Sequence, residues 1–281
     1  MFDECRRIFS ERDIEEFDLT CIFQDIFGET FPLMEGRKEV PADIEEKIRG
    51  LVKRRAEGYP LQYLLGEWEF YGYPFKVREG VLIPRPDTEV LIEDVLGICR
   101  EMGHSSPRIA DLCSGSGCIA VTLKKQLPDA EVYAVELSDT AIGCMRENAA
   151  LNGVDIHIIK GDVTARETAE GLKGLDIIVS NPPYLTAKDM SELMTEVRYE
   201  PETALFGGED GLDFYRVMTP LWKSSLRDGG WLMYEYGLGQ HENVAEILNE
   251  NGFENISLSR DTAGIIRTAK AQMIGGNEKN G

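Results

Sequence analysis

The chain has 281 residues, of which 42% are hydrophobic and 9% aromatic, and this apolar content excludes a wholly disordered chain. The 30 Lys and Arg residues stand against 50 Asp and Glu residues, and the net charge of −20 disfavours a protein that binds phosphate backbones through clustered cations. No stretch approaches the roughly 20 apolar residues that span a bilayer, and residues 1–25 do not resemble a signal peptide. We therefore expect a cytoplasmic protein of about two domains, without membrane or direct nucleic-acid binding.

Cysteine and histidine are the residues that would reveal a zinc site. The six cysteines include no Cys-x-x-Cys pair, and the three histidines are far apart in the sequence. Zinc ligands usually occur in pairs two to four residues apart. The sequence therefore predicts no metal site.

The first 58 residues predict a small helical domain. Apolar residues recur at helical spacing over 2–9 and 14–26. After a break at 32–36, a third helix is predicted to begin at Pro41 and to end before Gly58. The charged outer faces of these helices fit either packing or partner recognition, and the pattern does not separate the two.

Residues 59–85 predict a connector that contains a β-hairpin. Aromatic residues are interspersed with glycines, and residues 67–71 and 75–78 alternate around the turn 72–74. This places the domain boundaries at 1–58 for the helical domain, 59–85 for the hairpin linker and 86–281 for the catalytic domain.

Strands and helices alternate from residue 108 onward. The predicted strands cover 108–112, 131–136, 156–160, 175–180, 231–235, 254–259 and 265–273, and the helices between them include 138–151, 211–227 and 239–250. This alternation is typical of an α/β fold with a parallel, doubly wound sheet.

A glycine-rich turn follows the first strand of this sheet. Gly115 and Gly117 allow a sharp turn and close approach of a ligand to the amides at a helix N-terminus. Glu136 ends the next strand at the distance expected for a residue that binds ribose hydroxyls. The pattern alone fits either a dinucleotide or S-adenosylmethionine.

Two acidic residues favour S-adenosylmethionine. Asp111 precedes the turn, where its carboxylate would repel a pyrophosphate but attract the ammonium and sulfonium groups of that cofactor. Asp162 follows the third strand, where it is either a turn residue or an acceptor for the adenine amino group.

The run Asn-Pro-Pro-Tyr at 181–184 directly follows the fourth strand, at the edge where open α/β sheets bind ligands. Proline lacks an N–H group, which leaves nearby carbonyl groups without local partners. The Asn181 side-chain oxygen and the Pro182 carbonyl oxygen can then both accept hydrogen bonds from one planar NH2 group. This arrangement predicts methyl transfer to an amide nitrogen or to the exocyclic amine of a base.

Four motifs together resemble the PrmC/HemK family of N5-glutamine methyltransferases. They are the turn at 111–117, the run at 181–184, Ile-Pro-Arg-Pro-Asp-Thr-Glu at 83–89 and the block at 200–216. The resemblance implies a Rossmann-like, seven-stranded methyltransferase domain that uses S-adenosylmethionine and releases S-adenosylhomocysteine. It also implies a protein substrate, the Gly-Gly-Gln glutamine of class-1 peptide-chain release factors, with substrate choice lying largely in 1–58.

The resemblance also implies roles for individual residues. Asn181, Pro182, Pro183 and Tyr184 would hold the substrate amide and act in catalysis. The residues that it implies for cofactor binding are Cys113, Ser114, Gly115, Ser116, Gly117, Glu136, Asp162, Val163 and Asn181. The charge argument adds Asp111 to this set. Cys113 stands where the family usually has glycine, and Glu136 stands where aspartate is commoner.

Three alternatives remain open at this point. An adenine-N6 nucleic-acid methyltransferase would share the Asn-Pro-Pro-Tyr chemistry, but the charge of −20 disfavours it. A ribosomal-protein glutamine methyltransferase is a closer relative of the family named above and is harder to exclude, because substrate choice would lie largely in residues 1–58. A nicotinamide-dependent oxidoreductase would use the glycine turn but would leave the run at 181–184 without a role.

Overall fold

The structure, a computed structural model, describes residues 1–28, 40–103, 106–261 and 263–275. The chain divides into two compact units, one formed by Met1–Glu67 with Met194–Tyr199 and the other by Trp68–Leu193 with Glu200–Gly281. No helix in the described ranges is long and apolar enough to cross a membrane. The predicted break at 32–36 lies outside the described residues.

The first unit contains the three predicted helices and a short additional one. These are α1 (Phe2–Glu11), α2 (Glu16–Phe27), α3 (Ala42–Ala56) and α4 (Leu61–Leu65). The apolar faces of the three long helices pack together, because Phe9, Ile22 and Ile48 are all buried. The rings of Phe2 and Phe23 meet edge to face, with their centroids 4.9 Å apart.

The predicted hairpin is present, but its turn lies elsewhere. Strands β1 (Glu67–Phe70) and β2 (Tyr73–Lys76) are joined by Tyr71 and Gly72, which have φ angles of 53° and 75°. A two-residue turn with both central φ angles positive matches the right-handed twist of paired strands. The turn predicted at 72–74 is therefore wrong, and Pro74 lies within β2.

The second unit is built on a seven-stranded sheet, as predicted. Its strands are β3 (Arg108–Leu112), β4 (Glu131–Glu136), β5 (His157–Lys160), β6 (Leu175–Ser180), β7 (Leu226–Glu235), β8 (Phe253–Arg260) and β9 (Ile266–Met273). They are arranged in the order β5-β4-β3-β6-β7-β9-β8. The first five are parallel, but β9 runs antiparallel to both of its neighbours. The prediction of a fully parallel sheet is therefore wrong at β9. The connection 261–265 between β8 and β9 is too short for a parallel crossover.

Helices cover both faces of this sheet. They are α5 (Glu89–Met102), α6 (Cys118–Gln126), α7 (Asp139–Leu151), α8 (Arg166–Glu170), α9 (Ala187–Ser191), α10 (Asp213–Lys223) and α11 (His241–Glu250). Helices α5, α6 and α7 bury their apolar residues on one face, whereas α8, α10 and α11 bury theirs on the other. Both faces of each central strand are therefore buried, which explains the continuous apolar run in β6.

Strand register brings the predicted site residues to one edge. Leu112 is paired with both Val135 and Ser180, and Ser180 is also paired with Tyr234. The carboxyl ends of β3, β4, β6 and β7 therefore lie side by side. The residues that follow these strands are brought together although they are far apart in sequence.

Candidate active site

A cavity of about 670 Å³ opens at this edge of the second unit. Its walls come from the segment 80–85, the glycine turn, the ends of β4 and β5, the residues after β6 and the segment 201–206. The predicted residues Cys113, Glu136, Asp162 and Asn181 all line it, whereas Asp111 does not. A single cavity therefore brings together most of the residues proposed from the sequence.

The glycine turn has the backbone geometry that its sequence predicts. Gly115 and Gly117 have φ angles of 53° and 79°, in the left-handed region that favours glycine. A Cβ atom at Gly117 would lie 2.5 Å from Cγ of Met145, whereas one at Gly115 would meet nothing within 4 Å. Gly117 is thus required by packing, and Gly115 leaves space beside the backbone.

Asp111 is fully buried beneath the turn. Its Oδ2 accepts a hydrogen bond from the Ala120 N–H at 3.2 Å, and its Oδ1 has no partner among the described residues. Burial raises the pKa of Asp111 to about 8. The carboxyl group beneath the turn is therefore mostly protonated at neutral pH, and a cation near its unpartnered oxygen would stabilise the ionised form.

Glu136 supports the turn from the side. One carboxylate oxygen accepts the Gly115 N–H at 2.8 Å, and the other accepts the N–H groups of Leu137 and Ser138 at 2.9 and 2.8 Å. A carboxylate has about four acceptor positions, so three amide bonds leave one position for a further donor.

Asp162 and Val163 form the wall that follows β5. Asp162 Oδ1 accepts hydrogen bonds from the Thr164 N–H and hydroxyl at 2.8 and 2.6 Å, so Asp162 is a turn residue. Its Oδ2 has no partner in the described parts of the chain and remains available as an acceptor. Val163 is buried, and its carbonyl oxygen accepts the Trp222 indole N–H at 2.8 Å.

The Asn-Pro-Pro-Tyr run offers two oxygen acceptors. Asn181 Nδ2 donates to Thr88 Oγ1 at 3.1 Å, and Gln240 Nε2 donates to the Tyr184 carbonyl at 3.0 Å. None of the residues that the structure describes donates to Asn181 Oδ1 or to the Pro182 carbonyl oxygen. Asn181 and Pro183 line the cavity, whereas Pro182 and Tyr184 are not among the residues that line it.

Arg85 is the one cation among the described residues that line the cavity. It forms an ion pair with the buried carboxylate of Glu200, which also accepts the Ile83 N–H at 3.1 Å. Asp87 instead pairs with Arg267 at 2.9 Å. With the arginine charge compensated, the carboxylates that line the cavity make it a better site for a cation than for a pyrophosphate.

A glycine-rich segment packs against the Asn-Pro-Pro-Tyr run. Leu185 and the chain at 205–207 exchange backbone hydrogen bonds, and a Cβ atom at Gly207 would lie 2.6 Å from the Pro183 carbonyl oxygen. A Cβ atom at Gly211 would lie 2.2 Å from the Tyr184 carbonyl oxygen. This contact explains the glycines of the block at 200–216.

Comparison with known proteins matches two family models to the chain. The family "Methyltransferase small domain" matches residues 88–202, and the family "PrmC N-terminal domain" matches residues 1–66. Three bacterial relatives are each named "Release factor glutamine methyltransferase". The relative from Geobacter sulfurreducens is 46% identical over 220 residues, covering 78% of this chain and 75% of the relative.

The relative from Thermodesulfovibrio yellowstonii is 38% identical over 82% of both chains, and the one from Neisseria gonorrhoeae is 39% identical over 84% of both. The chain belongs to the release factor glutamine methyltransferase family. The resemblance proposed from the motifs is therefore confirmed.

Solved structures confirm the predicted fold of the methyltransferase. The catalytic domain of hMettl16 has a TM-score of 0.56 at 16% identity, over 84% of this chain and 83% of that one. The T. Thermophilus 16S rRNA methyltransferase RsmC, solved with AdoMet and guanosine, has a TM-score of 0.54 at 18% identity, over 74% and 49%. At these identities the similarity concerns the fold alone.

Several residues line the cavity without being predicted as site residues by the local sequence. They are the segments 80–85 and 201–206 and Thr88, which belong to the two motifs at 83–89 and 200–216 or lie next to them. Their placement depends on long-range contacts such as Ile83 with Glu200. Among the described residues, no three Cys, His, Asp or Glu side chains are arranged to hold a metal ion.

Proposed function

We propose that this methyltransferase transfers a methyl group from S-adenosylmethionine to the side-chain amide nitrogen of glutamine in the Gly-Gly-Gln motif of class-1 release factors. The names of its relatives support the substrate. The observation that carries the reaction is the pair of acceptors without donors among the described residues, Asn181 Oδ1 and the Pro182 carbonyl oxygen. They follow Ser180, which is paired with Leu112 just before the glycine turn.

The residues around the cavity fit the cofactor. When bound, S-adenosylmethionine supplies a methyl group that is already activated by a sulfonium. The turn 113–117 would hold its methionine part over the carboxyl group of Asp111, which is unpartnered at Oδ1. Glu136 has an acceptor position left for a ribose hydroxyl, and Asp162 with Val163 would border the adenine. S-adenosylhomocysteine would be the product.

The two acceptors address the poor reactivity of an amide. An amide nitrogen is a weak nucleophile because its lone pair is delocalised into the carbonyl group. Hydrogen bonds from its two N–H groups to Asn181 Oδ1 and the Pro182 oxygen would favour the positive charge that develops on nitrogen. They would also fix the plane of the amide relative to the cavity, and Pro183 and Tyr184 would complete the substrate-binding surface.

The N-terminal helices are the proposed region for substrate recognition. In this proposal, residues 1–58 form the helical recognition domain, residues 59–85 the hairpin linker and residues 86–281 the catalytic domain. Because a release factor acts in translation, this substrate would agree with the cytoplasmic location predicted from the sequence.

Mass spectrometry of a release factor tests this function directly. Incubation with the enzyme and S-adenosylmethionine is expected to add about 14 daltons, one methylene, to the Gly-Gly-Gln peptide. Asn181→Ala should reduce turnover at least about 100-fold, as does loss of one preorganised hydrogen-bonding group elsewhere, while S-adenosylhomocysteine binding stays within about threefold. Normal methylation by this variant would contradict the role of Asn181.

Parallel incubations separate the alternatives. Label from tritiated cofactor that enters DNA or RNA but not release factor would indicate an adenine-N6 methyltransferase. Label that enters only ribosomal proteins would indicate a different protein substrate. The acidic lining of the cavity and the net charge of −20 disfavour the nucleic-acid alternative.

A further inference from the structure

Glu235 is a buried carboxyl group that is not among the residues that line the cavity. It ends β7 directly after Tyr234, whose Cα is paired with that of Ser180, so Glu235 lies beside Asn181. The residue is 2% exposed, and its Oε2 has no hydrogen-bond partner in the described parts of the chain. A buried carboxyl group without a full set of partners is costly to maintain and calls for an explanation.

The surroundings of this carboxyl group connect it to Asn181. Burial raises the pKa of Glu235 to about 7, and the polar side chains of Thr88 and Asn181 oppose this rise in pKa because they favour the charged form. Arg267, the cation that favours the charged form of Glu235, pairs with Asp87 at 2.9 Å and with Asp261 at 3.0 Å. It forms no ion pair with Glu235 among the described residues.

The proposed reaction requires one particular orientation of the Asn181 side chain. Its amide carries an oxygen acceptor on one side and an NH2 donor on the other, and only the oxygen can accept a hydrogen bond from the substrate amide. Thr88 Oγ1 lies 3.1 Å from Asn181 Nδ2. A threonine hydroxyl can both donate and accept, so Thr88 alone does not decide between the two orientations.

Above about pH 7 Glu235 is ionised, and an ionised carboxylate removes this ambiguity because it can only accept hydrogen bonds. We propose that Glu235 and Thr88 are positioning residues that hold the Asn181 amide with Oδ1 toward the substrate. Glu235 takes the hydroxyl hydrogen of Thr88, and the lone pair of Thr88 must then accept from Asn181 Nδ2. This inference rests on the proposed function of Asn181 as an acceptor for the glutamine amide.

The isosteric variant Thr88→Val tests the inference, with Thr88→Ser as its conservative partner. Valine keeps the shape but removes the hydroxyl, and we expect kcat to fall about 10- to 100-fold, the usual effect of losing a group that orients an active-site ligand. Serine keeps the hydroxyl, and we expect kcat within about threefold of the wild type. The affinity for S-adenosylhomocysteine should stay within about twofold in both variants, which also shows that the site is folded.

A matched control is available at Thr122, which is fully buried and whose hydroxyl has no partner among the described residues. Thr122→Val should leave kcat unchanged.

Glu235→Gln supplies the second arm of the test, because glutamine can donate to Thr88 and reverse the direction of the hydrogen bonds. Its loss of kcat should be similar to that of Thr88→Val, and the double variant should lose no more than either single variant.

The outcomes distinguish this inference from the proposed function. If the wild type methylates release factor but Thr88→Val keeps full kcat, or if the serine and valine variants lose activity equally, the positioning role is wrong. If the wild type does not methylate release factor at all, the proposed function itself fails. Losses that add in the double variant would show that the two residues act separately, which also contradicts the inference.

Discussion

Cys113 has a backbone conformation that explains why glycine is usual at its position. Its φ angle is 60°, in the left-handed region, where a side chain costs about 1–2 kcal/mol. Its side chain lines the cavity and also packs against the apolar residues on the face of the sheet that α8, α10 and α11 cover. The cysteine is therefore tolerated because packing offsets backbone strain.

The second departure from the family pattern, Glu136, has a different explanation. The longer side chain reaches back to the Gly115 N–H while it also accepts two amides at the start of the next helix. Aspartate is one methylene shorter and would not span both sets of donors from the same backbone position. Glu136 thus fixes the turn as well as facing the cavity.

The raised pKa of Asp111 predicts how the stability of the protein depends on pH. Because its pKa is raised from the ordinary 3.8 to about 8, its contribution to stability is fully present below about pH 4 and is lost as the pH rises through 8. Asp111→Asn cannot titrate, so the variant should not share the fall in Tm that this group causes in the wild type between pH 5 and pH 8. The Tm of the variant minus that of the wild type should therefore increase by at least about 3 °C over this range.

Binding of the cofactor gives the complementary measurement. At pH 8 the same variant should bind S-adenosylmethionine about tenfold more weakly, equivalent to about 1.4 kcal/mol, because it lacks the negative charge. S-adenosylhomocysteine lacks the sulfonium charge and serves as the control ligand, with a smaller loss. Parallel Tm curves for the two proteins across this pH range would contradict the assigned pKa.

The block at 200–216 shows how one segment of chain shapes another. Glu200 accepts the Ile83 N–H and pairs with Arg85, while Gly207 and Gly211 contact the backbone of the Asn-Pro-Pro-Tyr run. No side chain fits at these glycines without moving that backbone. The block therefore supports the proposed catalytic run from behind.

Gly207→Ala should disturb this support. The new Cβ would lie 2.6 Å from the Pro183 carbonyl oxygen and 2.7 Å from Tyr184 Cα, and neither backbone atom can rotate away. We expect a loss of stability of about 1–3 kcal/mol from overpacking, with kcat reduced at least about tenfold. Denaturant unfolding and methylation assays measure the two effects.

Gly97→Ala is the matched control, since its Cβ would lie within helix α5 and would meet nothing within 4 Å. It should stabilise the protein by about 0.5–1 kcal/mol. Equal effects of the two substitutions would show that the close approach of Gly207 has no consequence.

The helical unit is completed by a segment from far along the chain. Residues 194–199 belong to this unit, and Glu196 bonds to Arg55 at 2.7 Å. Arg55 also bonds to Asp18 at 2.6 Å, so one guanidinium joins α2, α3 and the distant segment. The unit is therefore not formed by consecutive residues alone.

The two carboxylates should contribute unequally to the stability of this unit. The side chain of Asp18 is 13% exposed and that of Glu196 is 47% exposed, whereas the arginine side chain is 9% exposed. Asp18→Asn should destabilise the unit by about 3 kcal/mol because it leaves a buried cation poorly paired. Glu196→Gln should cost less than about 1 kcal/mol because water screens the pair.

Hydrogen exchange of the amides in α2 and α3 measures both changes in the full-length protein. A larger loss of protection for Glu196→Gln than for Asp18→Asn would reverse the expected order and contradict the burial argument. Exchange in the strands of the second unit provides the internal reference.

Local sequence patterns were sufficient to predict the succession of strands and helices along the chain, the glycine turn and the family. Glycines at 115 and 117, alternating apolar runs and the Asn-Pro-Pro-Tyr run are features of neighbouring residues, and their chemistry acts over a few ångströms along the chain. The strands β3, β4 and β6 accordingly match their predicted bounds. The hairpin turn was misplaced because the left-handed conformation of Tyr71 has no signal in its residue type.

Long-range packing decided the remaining features. The partner of Arg85 is Glu200 rather than the neighbouring Asp87, and Thr88 and Glu235 lie beside Asn181 although more than 50 residues separate each from it. Such contacts depend on strand order and register, which bring remote residues to one edge of the sheet. Chemical groups can be recognised from local sequence, but their orientation toward one another exists only once the sheet has formed.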